Sequence, residues 1–312
     1  MRCGYIGNFG APHSTENHVA RALECNDVEV VRIQEGQAEW LDIPNVTCDF
    51  LLWTTTYDYA NRHTYEAQRT MLQRRDVPIV GYHLDRWWGL DREHRIQTSP
   101  FFQVDLLCTA DGGHQKEWAE AGIDHHWFPP AVSTAECAPG EFREDLASDI
   151  AFVGSWESYH VEWTHRMQLV KWLRRNYGDR CRFWPPKGQP SVRGGQLRDI
   201  YASTKVNVGD SCLAGNVSHY WSDRIPETLG RGGVLVHPYV EGMEPLFNCE
   251  RDLVCWDLGD FDELRDRIDT LLDDEAERLF RSEEGRRRVL TQHTYEVRMS
   301  QLLETMRYRG ML

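Results

Sequence analysis

Along the first 130 residues, short apolar runs alternate with stretches whose apolar positions recur at helical spacing. The runs predict strands at Arg2–Gly7, Val28–Ile33, Asp49–Trp53, Pro78–His83 and Val104–Thr109, and helices over Thr15–Cys25, Thr64–Arg75 and His114–Ala121. Strands separated by helices indicate a parallel sheet covered on both faces. His126-Trp-Phe-Pro-Pro130 ends the pattern, because two prolines stop both helix and ladder.

Residues 131–148 carry Pro, Gly and acids without periodicity and read as a connector. A second alternation follows: strand Asp149–Gly154, helix His160–Tyr177 (apolar side Val161, Met167, Val170, Trp172, Leu173), strand Cys181–Trp184, helix Gly195–Ser203 and strand Val206–Val208. It continues with helix Ser222–Gly230, strands Val234–His237 and Leu253–Trp256, and helix Phe261–Asp273. Ala276–Arg307 reads as charged helix, packing through Leu279, Phe280, Val289, Leu290, Tyr295, Met299 and Leu302. The predicted architecture is α/β, with two Rossmann-like parallel-sheet domains facing across a cleft and a long C-terminal helix. Its parts are residues 1–130, the connector 131–148, a second domain over 149–290, and a helix in 291–312 packing back toward the first domain. Ligands of such sheets bind at the carboxyl ends of strands.

A length of 312 residues suits two domains, and 41% hydrophobic with 27% charged residues is ordinary for a globular chain. No apolar run is long enough for a signal peptide or a membrane span, so a cytoplasmic, soluble protein is expected. The nine cysteines are scattered without CxxC spacing and read as reduced, mostly core thiols. A net charge of −14 argues against a general polyanion-binding surface. Locally the balance reverses: Arg166 to Lys205 holds ten basic residues against Asp179 and Asp199.

The densest candidate chemistry is Ser222-Asp-Arg-Ile-Pro-Glu227-Thr-Leu-Gly-Arg-Gly232-Gly-Val-Leu-Val236. Arg224 can neutralise a diphosphate, and Glu227, three residues on along one helical face, can accept hydrogen bonds from vicinal sugar hydroxyls. Gly154, after an apolar strand, permits a sharp turn offering N–H groups to a phosphate, and Ser155 adds a hydroxyl. Lys187, in Trp184-Pro-Pro-Lys-Gly188, can meet a diphosphate, with Trp184 bordering a base.

The pattern Arg224-x-x-Glu227-x-x-x-x-Gly232-Gly-x-x-Val resembles the donor-site motif of GT-B glycosyltransferases, especially the CgeB-like (spore-maturation type) group, which is similar to family 4 transferases. Asp149-Ile-Ala-Phe-Val-Gly-Ser155 looks like that family's first strand and turn in the donor domain, and Leu197–Val208 like the helix and strand before its donor loop. The resemblance implies that Glu227 binds the nucleotide ribose and Arg224 the diphosphate, with Ser222, Gly232 and backbone N–H groups around them. It implies a nucleoside-diphosphate sugar as donor, a UDP-sugar foremost, and no required metal; no D-x-D ligand pair is present. One departure stands out: the first glutamate of the related E-x7-E motif is replaced by His219.

Gly7 and Asn8 follow the first strand and are candidates to face donor phosphate and acceptor; the glycines there do not spell G-x-G-x-x-G, so a dinucleotide fingerprint is unsupported. On the acceptor side, Gly81-Tyr-His83-Leu-Asp85-Arg86-Trp-Trp88 follows a strand, and Asp85 can take a proton from an acceptor hydroxyl with His83 or Arg86 tuning its charge. Trp87 and Trp88 can stack on a sugar ring or base, while Tyr57, Asp58 and His18 are further acceptor candidates. An ion pair over a buried tryptophan explains Asp85, Arg86 and Trp87 equally well.

The expected activity is transfer of a sugar from a nucleoside-diphosphate sugar to an acceptor hydroxyl, on a cell-surface glycan or a small molecule. One alternative is a viral-type DNA glycosyltransferase acting on a hydroxymethylated pyrimidine base, which suits the local basic cluster and the 12 tryptophans. Another is a non-catalytic sugar-nucleotide-binding protein, suggested by His219.

Overall fold

The computed structural model of the protein describes residues 1–35, 45–55, 76–155, 162–215 and 217–312. The chain divides into two compact units, Met1–Pro129 with Tyr295–Leu312, and Pro130–Thr294.

The first unit holds a six-stranded sheet: β1 (Arg2–Gly7), β2 (Glu29–Gln34), β3 (Phe50–Thr54), β4 (Ile79–His83), β5 (Leu106–Thr109) and β6 (His125–Trp127), in the order β2-β1-β3-β4-β5-β6. Every described pairing is parallel. β3 and β5 are buried throughout, which is why they read as continuous apolar runs and not as an alternation. Helix α1 (Thr15–Cys25) starts where the Ser14 side chain accepts from the Asn17 N–H at 3.2 Å. It packs through Val19, Ala20 and Leu23 and lies against the C-terminal helix, where Asn26 donates to the Glu296 carbonyl at 3.0 Å. Helix α2 (Gln115–Glu120) buries only Trp118.

The strand β6 is one the prolines concealed. His125, His126 and Trp127 pair with Leu107, Cys108 and Thr109, so the ladder runs on until Phe128 and stops at Pro129. The helix expected over Thr64–Arg75 lies outside the described residues, as does Val161.

The second unit holds five parallel strands, β7 (Ser148–Val153), β8 (Cys181–Trp184), β9 (Thr204–Val208), β10 (Leu235–Pro238) and β11 (Val254–Trp256), in the order β11-β10-β9-β7-β8. One face is covered by α3 (His165–Tyr177) and α6 (Phe261–Asp273), which bury Leu169, Leu173, Leu264 and Ile268 on Ile150, Phe152, Val206 and Val236. On the other, α4 (Gly194–Ala202) packs Leu197, Ile200 and Tyr201 on Ala151. α5 (Arg224–Gly230) leans on α7 (Glu275–Gln292), whose Gly285 lets the helices approach: a Cβ there would lie 3.0 Å from Leu229 Cδ2 and 2.6 Å from the Asp252 carbonyl oxygen.

Several expectations change. The final helical stretch is two helices, α7 and α8 (Tyr295–Tyr308), parted at buried His293 and Thr294; His293 Nε2 lies 3.0 Å from the Leu246 carbonyl. Leu279 and Phe280 are exposed rather than packed, and so is Met167 on α3. Cys249 and Cys255, expected to be reduced, are joined in a disulfide across the start of β11. No described helix is long and apolar enough to cross a membrane.

Residues 131–148 are pinned to the second unit. The Glu141 N–H donates to Asp199 at 3.0 Å, the Arg143 N–H to Ser203 at 2.8 Å, and Val132 pairs with Thr294. At Gly140 the backbones touch so closely that a Cβ would lie 2.2 Å from the Arg198 carbonyl carbon, an atom with no freedom to move aside. Gly140→Ala should therefore lower stability by about 1–3 kcal/mol, while Gly195→Ala, in open space on α4, should be neutral or slightly stabilising. Denaturant midpoints of the two variants test this, and equal midpoints would contradict it.

Candidate functional site

In each unit the strand order reverses direction once, and the carboxyl ends of the strands flanking that reversal are where an open parallel sheet leaves a crevice. In the second unit those strands are β7 and β9, followed by Gly154 and Gly209. Both glycines are used by Arg224, at the start of α5. A Cβ on Gly154, whose φ is +143°, would sit 2.6 Å from both terminal nitrogens of Arg224, and one on Gly209 would sit 2.8 Å from its Cδ. The arginine stem thus lies across the strand ends, with its guanidinium bonded to the Val153 carbonyl oxygen and placed over the Phe152 ring. Its Nε is buried without a hydrogen bond, and it makes no ion pair with any described residue.

Glu227 is one turn further along α5. Arg224 and Glu227 line a single cavity of about 330 Å³ together with Gly154, Ser155, Arg166, Arg193, Tyr201 and Ser222. Burial holds the Glu227 carboxyl above the usual carboxylate range and neighbouring Asp223 adds to this; Arg231, Arg193 and Arg224 pull the other way without cancelling it. Arg231 also donates to the Glu227 carbonyl at 2.9 Å and pairs with Glu136 at 3.1 Å, fixing the far end of the helix.

A buried polar network backs the cavity. Arg166 meets Asp210 at 2.7 Å, donates to the Ser155 hydroxyl at 2.9 Å and lies 3.6 Å from the Trp163 ring centroid. His237 Nδ1 can only donate to the Pro238 carbonyl, 2.7 Å away, so Nε2 accepts from the Ser211 hydroxyl at 2.9 Å. This neutral tautomer agrees with burial pushing the imidazole down to about 4. Ser211 in turn accepts from the Ser222 N–H at 2.9 Å, which sets the loop leading into α5. Ser222 is therefore a loop-holding residue at the cavity wall.

The structure brings together Gly154, Ser155, Ser222, Arg224 and Glu227, and separates the others. Gly232, expected to offer its N–H to a phosphate, donates to the Leu229 carbonyl at 2.9 Å and closes the helix end with φ +81°. It faces a different cavity, at the amino ends of β9 and β10. Trp184, expected to border a base, is buried among Leu146, Val192, Leu197 and Tyr201. Lys187 lines a neighbouring groove. His219 has φ +52°, and its ring lies so close over Gly242 that a Cβ there would be 2.4 Å from it. Arg166 and Asp210 went unassigned in the sequence because a buried ion pair and a solvated one read alike, and Arg193, an exposed side chain at the cavity rim, has no local signal.

In the first unit, Gly7 ends β1 and packs on Glu16, while Asn8 turns back to accept from Gln34 at 3.3 Å. His18 is buried, stacked with Tyr295 at 6.3 Å, and so joins α1 to α8 instead of facing a crevice. His83 ends β4, and Asp85, Arg86, Trp87 and Trp88 follow in the loop, held by Asp111, which accepts the Trp87 and Trp88 N–H groups at 2.9 and 3.0 Å. Burial lowers His83 to about 4, and its Nδ1 accepts the Asp85 N–H at 3.0 Å. Asp85 is half exposed and paired with Arg92 at 3.2 Å. Arg86 is buried, and Trp87 is enclosed by His83, Phe102 and the Arg92 guanidinium, leaving no face for stacking on a sugar. Trp88 is half-buried against Trp118. Tyr57 and Asp58 lie outside the described residues.

A family model described as glycosyl transferase-like matches residues 153–304. A search of curated protein sequences gives no match. Among solved structures, the chain is similar to Anabaena HepE in complex with UDP and glucose, at TM-score 0.63 and 11% identity, covering 99% of this chain and 100% of that one. It is similar to sucrose-phosphate synthase from Thermosynechococcus elongatus at TM-score 0.65 and 12% identity, covering 99% and 100%. A trehalose-6-phosphate protein of E. coli bound with UDP-2-fluoro glucose matches at TM-score 0.63 and 11% identity, covering 97% and 98%. These likenesses establish the fold as that of the GT-B glycosyltransferases, two parallel-sheet α/β units in one chain.

Because Glu227 keeps its proton to higher pH when folded than the ordinary value of about 4.3, the folded state binds the extra proton between the two values. Stability owed to that proton is complete below the ordinary value and is lost as pH rises through the folded one. Glu227→Gln removes the dependence, so its thermal midpoint should gain on the wild type as pH climbs from acid toward neutral. A difference between the two that stays flat with pH would refute the shift.

Proposed function

We propose that the chain is a glycosyltransferase whose second unit binds a nucleoside-diphosphate sugar, with a UDP-sugar as the foremost donor. The observation that carries the reading is a guanidinium without a carboxylate partner and a glutamate lining one cavity at the switch point of a parallel sheet. The structural relatives solved with UDP and glucose, with UDP-2-fluoro glucose and with UDP-glucose support it by analogy of fold. Glu227 accepts hydrogen bonds from the ribose hydroxyls; Arg224 and the Ser155 hydroxyl meet the diphosphate.

In the reaction, the bond from the sugar's anomeric carbon to the β-phosphate oxygen breaks and its electron pair stays on the phosphate. The acceptor oxygen bonds the same carbon and gives up its proton. Arg224 stabilises the charge growing on the leaving diphosphate more than it stabilises the intact donor, which is what accelerates the step, and no divalent ion is then required. With inversion of configuration, half-exposed Asp85 is the base that takes the acceptor proton; with retention, the leaving phosphate takes it. The acceptor is a glycan or small-molecule hydroxyl, with a hydroxymethylated pyrimidine in DNA as the alternative. The replacement of the first E-x7-E glutamate by His219 motivates one further reading, a protein that binds a sugar nucleotide without transferring it.

Arg224→Ala should lower turnover of UDP-glucose, followed as released UDP, by about 100-fold or more. Glu227→Ala should weaken UDP binding by about tenfold or more, as expected for a lost charge-assisted hydrogen bond. The same Glu227 substitution should leave the affinity for 2′,3′-dideoxy-UDP unchanged. A folded Arg224→Ala enzyme with unaltered turnover would remove the arginine from the mechanism. Tight UDP-sugar binding with no released UDP across acceptors would establish the non-catalytic reading instead.

A further inference from the structure

The fold treats the basic residues of 166–205 unequally. Arg166 is buried on Asp210, Arg180 and Lys205 both pair with Asp149 at 2.7 Å, and Arg182 donates to the Asp145 carbonyl at 2.5 Å. Three of the remaining basic side chains meet in one place. Lys171 and Arg174 on α3 and Lys187 in the loop after β8 rim a groove of about 520 Å³. Its walls and floor are Met167, Val170, Pro185 and Pro186, and no carboxylate lines it among the described residues. Lys171 and Lys187 are exposed and engage no described partner.

In a chain of net charge −14, unneutralised lysines facing an acid-free groove mark a local anion site. The volume lies within the range of about 300–1,000 Å³ typical of small-ligand pockets. Lysines on the rim with methionine and proline below them suit a ligand carrying both a phosphate and an apolar or flat part. The groove adjoins the Glu227 cavity, for Gly154, Ser155 and Pro185 line both.

We propose that this groove binds a phosphate ester distinct from the donor. The phosphate sits between Lys171 and Lys187, and the apolar part lies over Met167, Val170, Pro185 and Pro186. Its identification as an acceptor site rests on the donor reading above: a ligand here is held next to the leaving diphosphate, which places a phosphate-bearing acceptor at the point of transfer. The same chemistry is offered by a free mononucleotide and by the phosphodiester of a polynucleotide.

The test uses the full chain and the double variant Lys171→Glu, Lys187→Glu, whose exposed positions leave the core untouched. Thymidine monophosphate, a thymidylate decamer and UDP are titrated separately, and then UDP in competition with each. Binding of the monophosphate that falls about tenfold or more in the double variant, with UDP affinity kept, supports a phosphate-ester site. A decamer that binds more tightly than the monophosphate, with a log–log salt slope of about −2 for three phosphate contacts, identifies the polynucleotide as the source. Equal affinities identify the single phosphate ester.

Displacement of either thymidylate by UDP, or a UDP affinity that falls with the double variant, assigns the groove to the donor and overturns the proposal. So does thymidylate binding that is absent or indifferent to the substitutions. A wild-type chain that fails to bind UDP while binding thymidylate through these lysines would sink the donor reading and leave the groove standing.

Discussion

The placement of one guanidinium organises the second unit. A cation without a counter-ion is costly where water is scarce, and the chain keeps Arg224 at the carboxyl ends of β7 and β9 by removing the side chains that would exclude it. Gly154 and Gly209 provide that room, and the Val153 carbonyl provides the hydrogen bond. The consequence for sequence is strict. A strand must end in glycine on each side of the switch point, and α5 must begin at the arginine, because one residue of slippage would swing the side chain off the strand ends.

The unit's two central arginines show how differently the fold can treat the same residue type. Arg166 is buried with a bidentate carboxylate, a hydroxyl and an aromatic face, so its charge is spent inside the protein. That arrangement holds shape: it fixes Ser155, and through Asp210 and the Ser211–His237 pair it fixes the loop before α5. Arg224 shares only the aromatic face, that of Phe152, and has no carboxylate or hydroxyl partner among the described residues, so its charge stays available to the cavity. Removing a partner from Arg166 would leave a buried charge uncompensated, a stability effect, whereas Arg224 carries its liability already and yields it only to a ligand.

The sheets were legible because each strand buried on both faces is a continuous apolar run, and the linking helices carry their own period. β6 was not, since a three-residue strand beginning with two histidines has no apolar signature and is made by its pairing with β5. The break between α7 and α8 was hidden for a related reason: His293 and Thr294 look like ordinary helix surface, yet their burial depends on Leu246 and Val132, distant in sequence. That Arg224, Glu227, Gly154 and Ser155 line one cavity was foreshadowed in the sequence, because short motifs, an Arg/Glu pair on one helix and a Gly-Ser after a strand, carry them. Gly232 was misread since a glycine that closes a helix and one that cradles a phosphate have the same letter. Trp87 and Trp184 were misread since an aromatic at or beyond a strand's end can turn into the core or out of it, and packing alone decides.

Arg224 and Glu227 are three residues apart on one helix, a spacing at which opposite charges ordinarily pair. They do not pair here, and the reason lies in the strands. The close approach at Gly154 draws the guanidinium onto the end of β7, while Glu227 remains on the helix, held by Arg231 through its backbone and facing the same cavity from another side. Each group thus lacks what the other could have supplied. A ligand that satisfies both must bring negative charge to the arginine and hydrogen-bond donors to the carboxylate within one molecule. A lone phosphate supplies only the first and a free sugar only the second. A ribose linked to a diphosphate supplies both, so the separation of these two groups by the strand-end glycines is the physical ground for proposing a nucleotide, and not either of its parts, as the ligand.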